Sequence, residues 1–474
     1  MPDPAIDYRD VQGTILRGYR VDLARHFILA ITDAPAASAL IGQLVDGAGG
    51  LPRITTAERW TVKPECFLNV GFTAAGLATL GVTAQQLATF DTAFQRGATS
   101  SDTATLVGDV GESAPANWIG GLSNGAEVHV VLSLWVDDDP AVLEAVTARL
   151  RAAFVGCLKE LSAHDARALP NNEVHFGYRD GIAQPTVIGA PPRKAKHDSP
   201  DDQQQVATGE FLLGYTNATP GVYSLQPPQL STNSSYGAFR ILEQDVAGFE
   251  AFLTEYAAKA GIDVETMAAK VCGRWRNGNP LELVPDGHAP VLPSQQLNDF
   301  TYVSTTAPPD DTLGLQCPIG SHIRRNNPRN EGVLGTDSSH HRIVRRGMPY
   351  GPPYDPAHPD AVPRGLIGYF INASLTNQFE FLTGQWNQLS DFVKSASGPG
   401  GSSAGNAVFN ISGQDVFLGV NDPAASSFTL AAVGAGGKSN TVLQGFSRLV
   451  TTRGGAYCFL PSITGLRYLA GLAK

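Results

Sequence analysis

Four stretches of the chain repeat one alternation of apolar and polar positions. HFILAITD (26–33) is a short apolar run of β type. Ala37, Leu40, Ile41 and Leu44 follow it at helical offsets 0, 3, 4 and 7. HVVLSLWVDDD (129–139) leads in the same way into a stripe of Leu143, Val146 and Leu150. GAFRILEQD (237–245) leads into Val246, Phe249, Leu253 and Tyr256, and GYFINAS (368–374) into Phe379, Leu382 and Trp386. Two of the four units fall in each half of the chain. Two strand–helix units with intervening strands make a ferredoxin-like α+β domain. The pattern therefore predicts two such domains, 1–225 and 226–474, with antiparallel sheets buried under peripheral helices.

Composition narrows this reading. A chain of 474 residues, 42% hydrophobic and 16% charged, is long enough for two domains with a large core. Its 51 glycines and 32 prolines point to many loops around a β-rich core. The polar stretches PPRKAKHDSPDDQQQ (191–205) and GPGGSSAGN (398–406) read as such loops. A net charge of -10 argues against sequence-independent nucleic-acid binding. Cys66, Cys157, Cys272, Cys317 and Cys458 are scattered, with no CxxC pair, and read as free thiols of a reducing compartment. The start, MPDPAIDYRD, has no basic segment leading into an apolar one, and no apolar run approaches a membrane span. The expectation is a cytoplasmic protein without membrane contact. Its end, LRYLAGLAK, carries no extended tail for packaging inside a protein shell.

Three segments carry candidate chemistry. AVGAGGKS (432–439) loosely fits a phosphate loop, but NTVLQGFSRLVTTRGG follows it and reads as turn and strand where a helix is required. CPIGSHIRRNNPR (317–329) pairs Cys317 with His322, yet zinc would need two further ligands at suitable spacing. His340 and His341 are adjacent and read as a surface loop. Arg324, Arg325, Arg329, Arg342, Arg345 and Arg346 cluster, opposed only by Glu331 and Asp337. No aromatics are interleaved for base stacking. Such a cluster suits a buried dianionic cofactor, whose carboxylates need bidentate charged partners. GYRDG (177–181) holds Asp180 in a strong turn signal, and by itself says no more than turn.

Together these segments resemble the dye-decolorizing peroxidase family of heme enzymes, at the size of its larger, more elaborated members. The family's GxxDG motif reads here Gly177-Tyr178-Arg179-Asp180-Gly181. Its proximal-histidine segment reads CPIGSHIRRNNPR, and its distal-arginine segment Arg345-Arg346-Gly347-Met348-Pro349-Tyr350-Gly351. DVQGTILRGY (10–19), NVGFTAAGLATLG (69–81), FRILEQDV (239–246), GRWRNGNPL (273–281) and RGGAYCFLPS (453–462) extend the likeness nearly end to end.

The resemblance implies a pair of ferredoxin-like domains, with one heme b per chain between the sheet and helices of the C-terminal half. His322 would bind the iron. Asp415, in SGQDVFLG (412–419), would accept from its other nitrogen, with Glu380 as runner-up. Asp180 would move the peroxide proton, and Arg345 would favour its ionised form and stabilise the leaving oxygen. Arg329, ahead of Arg324 and Arg325, would pair the heme propionates, and Tyr350 would relay electrons. The substrates implied are hydrogen peroxide and bulky aromatic reductants. The physiological donor, use of manganese and oligomeric state stay open. A heme-handling protein with little turnover is the alternative, and simple binding requires neither Asp180 nor Arg345. One departure stands out: after RGL (364–366), relatives carry a bulky pair over the distal pocket, where this chain has Ile367 and Gly368. The expectation is a more open pocket.

Overall fold

The structure, a computed structural model, describes residues 3–190, 205–219, 221–287, 289–302, 311, 314–329, 338–389, 412–431 and 440–472. The phosphate-loop-like segment 432–439, the loop 398–406 and all but the last residue of 191–205 lie outside them, as do Glu331 and Asp337.

Each predicted apolar run is a strand that feeds a helix. The first half runs β1 (Leu23–Ile31), α1 (Ala34–Asp46), β2 (Cys66–Phe72), β3 (Val130–Val136), α2 (Pro140–Phe154) and β4 (Leu158–Arg167). The second half repeats it as β5 (Ser235–Gln244), α3 (Val246–Ala260), β6 (Val344–Tyr350), β7 (Gly365–Asn372), two π-helical turns (Leu375–Phe379 and Leu382–Trp386) and β8 (Val450–Leu460). The strand-to-helix corners are cut by side-chain caps. Asp33, Asp139, Asp245 and Ser374 each accept a backbone N–H from the first turn that follows. Every apolar stripe read from the sequence is buried. At about 1.5–3 kcal/mol for each large apolar side chain, this burial outweighs local helix propensity in fixing these helices.

The strands form one eight-stranded sheet in the order β4-β1-β3-β2-β8-β5-β7-β6. Each half reads fourth-first-third-second, antiparallel throughout, which is the ferredoxin-like order. The halves join through β2 and β8, where Phe72 pairs with Phe459, and the far edges β4 and β6 also pack together. The sheet therefore curls on itself and has an inside. There His26 bonds Ser133 at 2.8 Å, Ser133 lies 3.2 Å from the Tyr369 hydroxyl, and Phe239 packs 5.4 Å from the His26 ring. The sequence pattern placed helices over the sheets; the curled sheet also packs one half's strands against the other's.

Alternation then assigns faces in the second half. Val344, Met348 and Tyr350 of β6, and Ile367, Tyr369 and Ile371 of β7, join the inner core. Arg345, Gly347 and Pro349 take the opposite face, beside their partners Phe370, Gly368 and Leu366.

Candidate active site

His322 opens a short helix, His322–Asn326. Its Nδ1 donates to Asp415 Oδ2 at 2.9 Å, and Asn326, one turn on, donates to the His322 carbonyl at 2.9 Å. Asp415 is fully enclosed, and its Oδ1 accepts the N–H groups of Phe417 (2.9 Å) and Leu418 (2.8 Å). Burial alone would raise the Asp415 pKa. The attraction and hydrogen bond of His322, the charge of Arg325 and the Leu418 N–H outweigh it and hold the pKa below the usual value. With Nδ1 committed, the ring presents Nε2 outward, and the side chain is 31% exposed. Phe417 packs edge-on against the ring at 5.3 Å. Glu380 is committed elsewhere: it pairs with Arg96 at 2.6 Å and accepts from the Tyr457 hydroxyl at 3.0 Å.

The other half of the site comes from the turn that holds Asp180. Glu173 and Arg179 bridge across a tight hairpin. Gly177 has φ +82, and a β-carbon there would meet Arg276 Nη1 at 2.5 Å, so only glycine fits. The Asp180 N–H closes the turn on the Asn172 carbonyl at 2.8 Å. Its carboxylate is left over, 52% exposed, with Oδ1 3.9 Å from Arg345 Nη2. The same Nη2 donates to the Ala183 carbonyl at 3.2 Å. Gln184 clamps the Arg345 main chain, accepting its N–H at 3.0 Å and donating to its carbonyl at 3.2 Å. His175 bonds the Tyr350 carbonyl at 2.8 Å. The hairpin is thus stitched along the edge of β6, and Phe176 packs 5.5 Å from the same Phe417 that touches His322. Three motifs far apart in sequence converge through this aromatic contact and one ion pair.

The fold and these motifs can be set beside known proteins. The DyP dimeric alpha+beta barrel domain matches residues 10–170. Dye-decolorizing peroxidase msp1 of Mycetinis scorodonius is 28% identical, over 98% of this chain and 87% of that relative. The multifunctional dye peroxidase DyP2 of Amycolatopsis sp. (strain ATCC 39116 / 75iv2) is 29% identical, over 97% and 95%. Among solved structures, a fungal DyP-type peroxidase from Auricularia auricula-judae superposes with a TM-score of 0.78 at 25% identity, covering 99% of this chain and all of that one. A dye-decolorizing peroxidase in complex with 2,6-dimethoxyphenol gives 0.79 at 26%, with the same coverage. The chain belongs to the dye-decolorizing peroxidase family.

Dye-decolorizing peroxidases are heme-dependent, and the donor set fits such a group. A histidine whose Nδ1 is held by a buried carboxylate offers Nε2 as an iron ligand. Two of the expected propionate partners need correction. Arg324 is fully enclosed and bonds Asp311 and the Cys317 carbonyl, with its guanidinium over the Tyr302 ring. Arg325 is equally enclosed and bonds the carbonyls of Trp386, Leu389 and Gly413 and the Ser412 hydroxyl. Neither has surface left for a ligand; both brace the helix that carries His322. Arg329 keeps exposed surface and donates to Asn298 and the Phe300 carbonyl. Tyr350 lies on the inner face of β6, opposite Arg345, where burial first and Glu243 second push its pKa up. Cys317 is buried, and burial first pushes its thiol pKa up to about 12, so the thiol is neutral at physiological pH. His341 is not a surface residue: it is buried, stacks on Phe381 at 3.7 Å and bonds the Asn377 carbonyl at 2.6 Å.

Sequence reasoning passed over Gln184, Asn326 and Phe417. Asn326 had a legible signal, its place one helical turn after His322. Gln184 and Phe417 act through main-chain and ring contacts that carry no motif.

Proposed function

We propose that this chain is a heme b peroxidase that reduces hydrogen peroxide to water and oxidises dyes and phenolic compounds in one-electron steps. The observation that carries the reading is the Asp180–Arg345 pair, delivered from separate motifs and left open to solvent. A protein that only held or carried heme would have no use for a carboxylate base beside a guanidinium. Bound heme would supply the redox chemistry that accepts electrons one at a time.

The roles of the chain's own residues follow. His322 Nε2 holds the iron, and Asp415 makes that imidazole more electron-rich through Nδ1. Asp180 takes the proton from one peroxide oxygen and returns it to the departing one. Arg345 stabilises the charge that develops on the departing oxygen. Arg329 is the proposed propionate partner. Tyr350 is the proposed relay across the sheet, and Tyr350→Phe should slow dye oxidation while sparing peroxide reactivity. Residues 1–225 and 226–474 are proposed as the two domains, the first supplying Asp180 and the second His322 and Arg345.

The test is the absorption spectrum of the heme-loaded protein before and after one equivalent of hydrogen peroxide, followed by a phenolic donor. Rapid bleaching and shift of the Soret band, reversed by two equivalents of donor, is the expected result. A heme spectrum indifferent to peroxide would favour a heme-handling protein.

A further inference from the structure

The face of the sheet that bears Arg345 has a gap beside it. On β6 the next position on that face is Gly347, and its partner on β7 is Gly368. Neither glycine carries a side chain into the strip next to the guanidinium that faces Asp180; Gly347 is exposed there and Gly368 is buried. The strip is flanked on β7 by Phe370 and Leu366, both partly exposed, and on β6 by Pro349. Gly368 is fixed by the backbone: its φ is +152, and a β-carbon would run into the Arg346 carbonyl oxygen. Gly347 is under no such constraint. Its backbone is outside the left-handed region, and a β-carbon would meet nothing closer than the Ile367 carbonyl oxygen at 3.4 Å. The gap is therefore built into the strand pairing; Leu366, Phe370 and Pro349 flank it, and Arg240 of β5, paired with Gly368 and held by Asp109, lies at its inner end.

We propose that the Gly347–Gly368 strip receives the organic group of an alkyl or aralkyl hydroperoxide, so that the site accepts such hydroperoxides as oxidants besides hydrogen peroxide. The proposal rests on the peroxidase reading above. The strip adjoins Arg345, the group placed to stabilise the departing oxygen, and in a hydroperoxide the organic substituent hangs from that same oxygen. The reaction balances as ROOH plus two one-electron, one-proton donors giving ROH, water and two donor radicals. The O–O bond breaks, and Asp180 carries the hydroperoxide proton to the departing alkoxy oxygen, which leaves as ROH.

The experiment uses the holoenzyme with cumene hydroperoxide and hydrogen peroxide as oxidants, and with cumyl alcohol as a ligand that cannot turn over. Wild type should turn over both oxidants and bind cumyl alcohol measurably by calorimetry. Gly347→Leu fills the strip on backbone that tolerates a side chain. It should lower the ratio of kcat/KM for cumene hydroperoxide to that for hydrogen peroxide by about tenfold or more, and weaken cumyl alcohol binding in proportion. Leu366→Trp enters the same space from β7 and should do the same, which covers a failure of Gly347→Leu to fold. Met348→Leu, on the inner face, should leave the ratio alone. Wild type that turns over hydrogen peroxide but neither uses cumene hydroperoxide nor binds cumyl alcohol would overturn the proposal and leave the peroxidase reading standing. So would an unchanged ratio in both filled variants. No turnover of hydrogen peroxide would overturn both.

Discussion

Asp180→Asn keeps the shape of the side chain and its backbone bond to Asn172, but removes the base. Peroxide reactivity should drop by roughly 100- to 10,000-fold, the usual worth of a positioned proton-transfer group. Stopped-flow mixing of the holoprotein with peroxide measures this, and an unchanged rate would leave Arg345 as the main catalyst. Asp415→Asn acts on the other side. It keeps an acceptor for His322 Nδ1 but loses the charge, and it strands a polar group among the Phe417 and Leu418 N–H groups. Heme affinity should fall about 10- to 100-fold, read as the rate of heme transfer to apomyoglobin. The same change should also shift the reduction potential upward, because a less electron-rich imidazole favours the ferrous state. A packing role alone would not move the potential.

At the scale of elements, the helix His322–Asn326 is too short to stand on its own propensity. Two arginines hold it, each turned away from the site. Arg325 serves four acceptors with one planar fork, and burial lowers its pKa to about 10, still charged at neutral pH. Arg325→Lys keeps the charge and loses the fork. It should cost at least about 2 kcal/mol of stability, because several buried acceptors lose their donors. A lower melting temperature of the heme-free protein would mark Arg325 as a brace; unchanged melting with weakened heme binding would restore it as a propionate partner. This is also where the sequence stopped being legible. The repeated strand–helix units could be read because burial on one face imposes periods of 2 and 3.6, and because Asp and Ser caps mark the corners. β4, LKELSAHDAR, could not: it is an edge strand whose positions are mostly half-exposed, so no clean alternation is imposed. His322, Asp180 and Arg345 were visible as residue types in spaced motifs. Which arginine faces a ligand depends on the turn of five residues and on what packs beside it, and no spacing encodes that. The Ile367–Gly368 departure was visible as letters. Its physical cause, Gly368 fitting against β6 where a β-carbon cannot, needed the strand register.

At the scale of the molecule, the two halves are tied by a buried polar contact inside the curled sheet. His26 of β1 is 1% exposed, between Trp135 and Ser133 of its own half and Phe239 and Tyr369 of the other. Burial first and the nearby His164 second lower its pKa to about 3, and Asp165 only partly offsets them. His26 is therefore neutral when folded and takes up a proton when unfolded at any pH below about 6.5. The unfolded state binds more protons between pH 6.5 and 3, so stability falls as pH drops through that window and is flat above it. Between pH 7 and pH 4 the loss from this one residue is about 3 kcal/mol, or roughly 3 °C in melting temperature for a chain of this length. His164 and His341 carry lowered values too and add to the same acid limb. His26→Asn separates the contributions: its amide sits where Nδ1 bonds Ser133 and does not titrate. The variant should be less stable at neutral pH, because the imidazole's packing against Phe239 is lost, yet its melting temperature should fall less steeply than wild type from pH 6.5 to 4. Parallel pH profiles for the two proteins would mean that the interface between the halves admits a charged histidine, and that acid acts elsewhere in the fold.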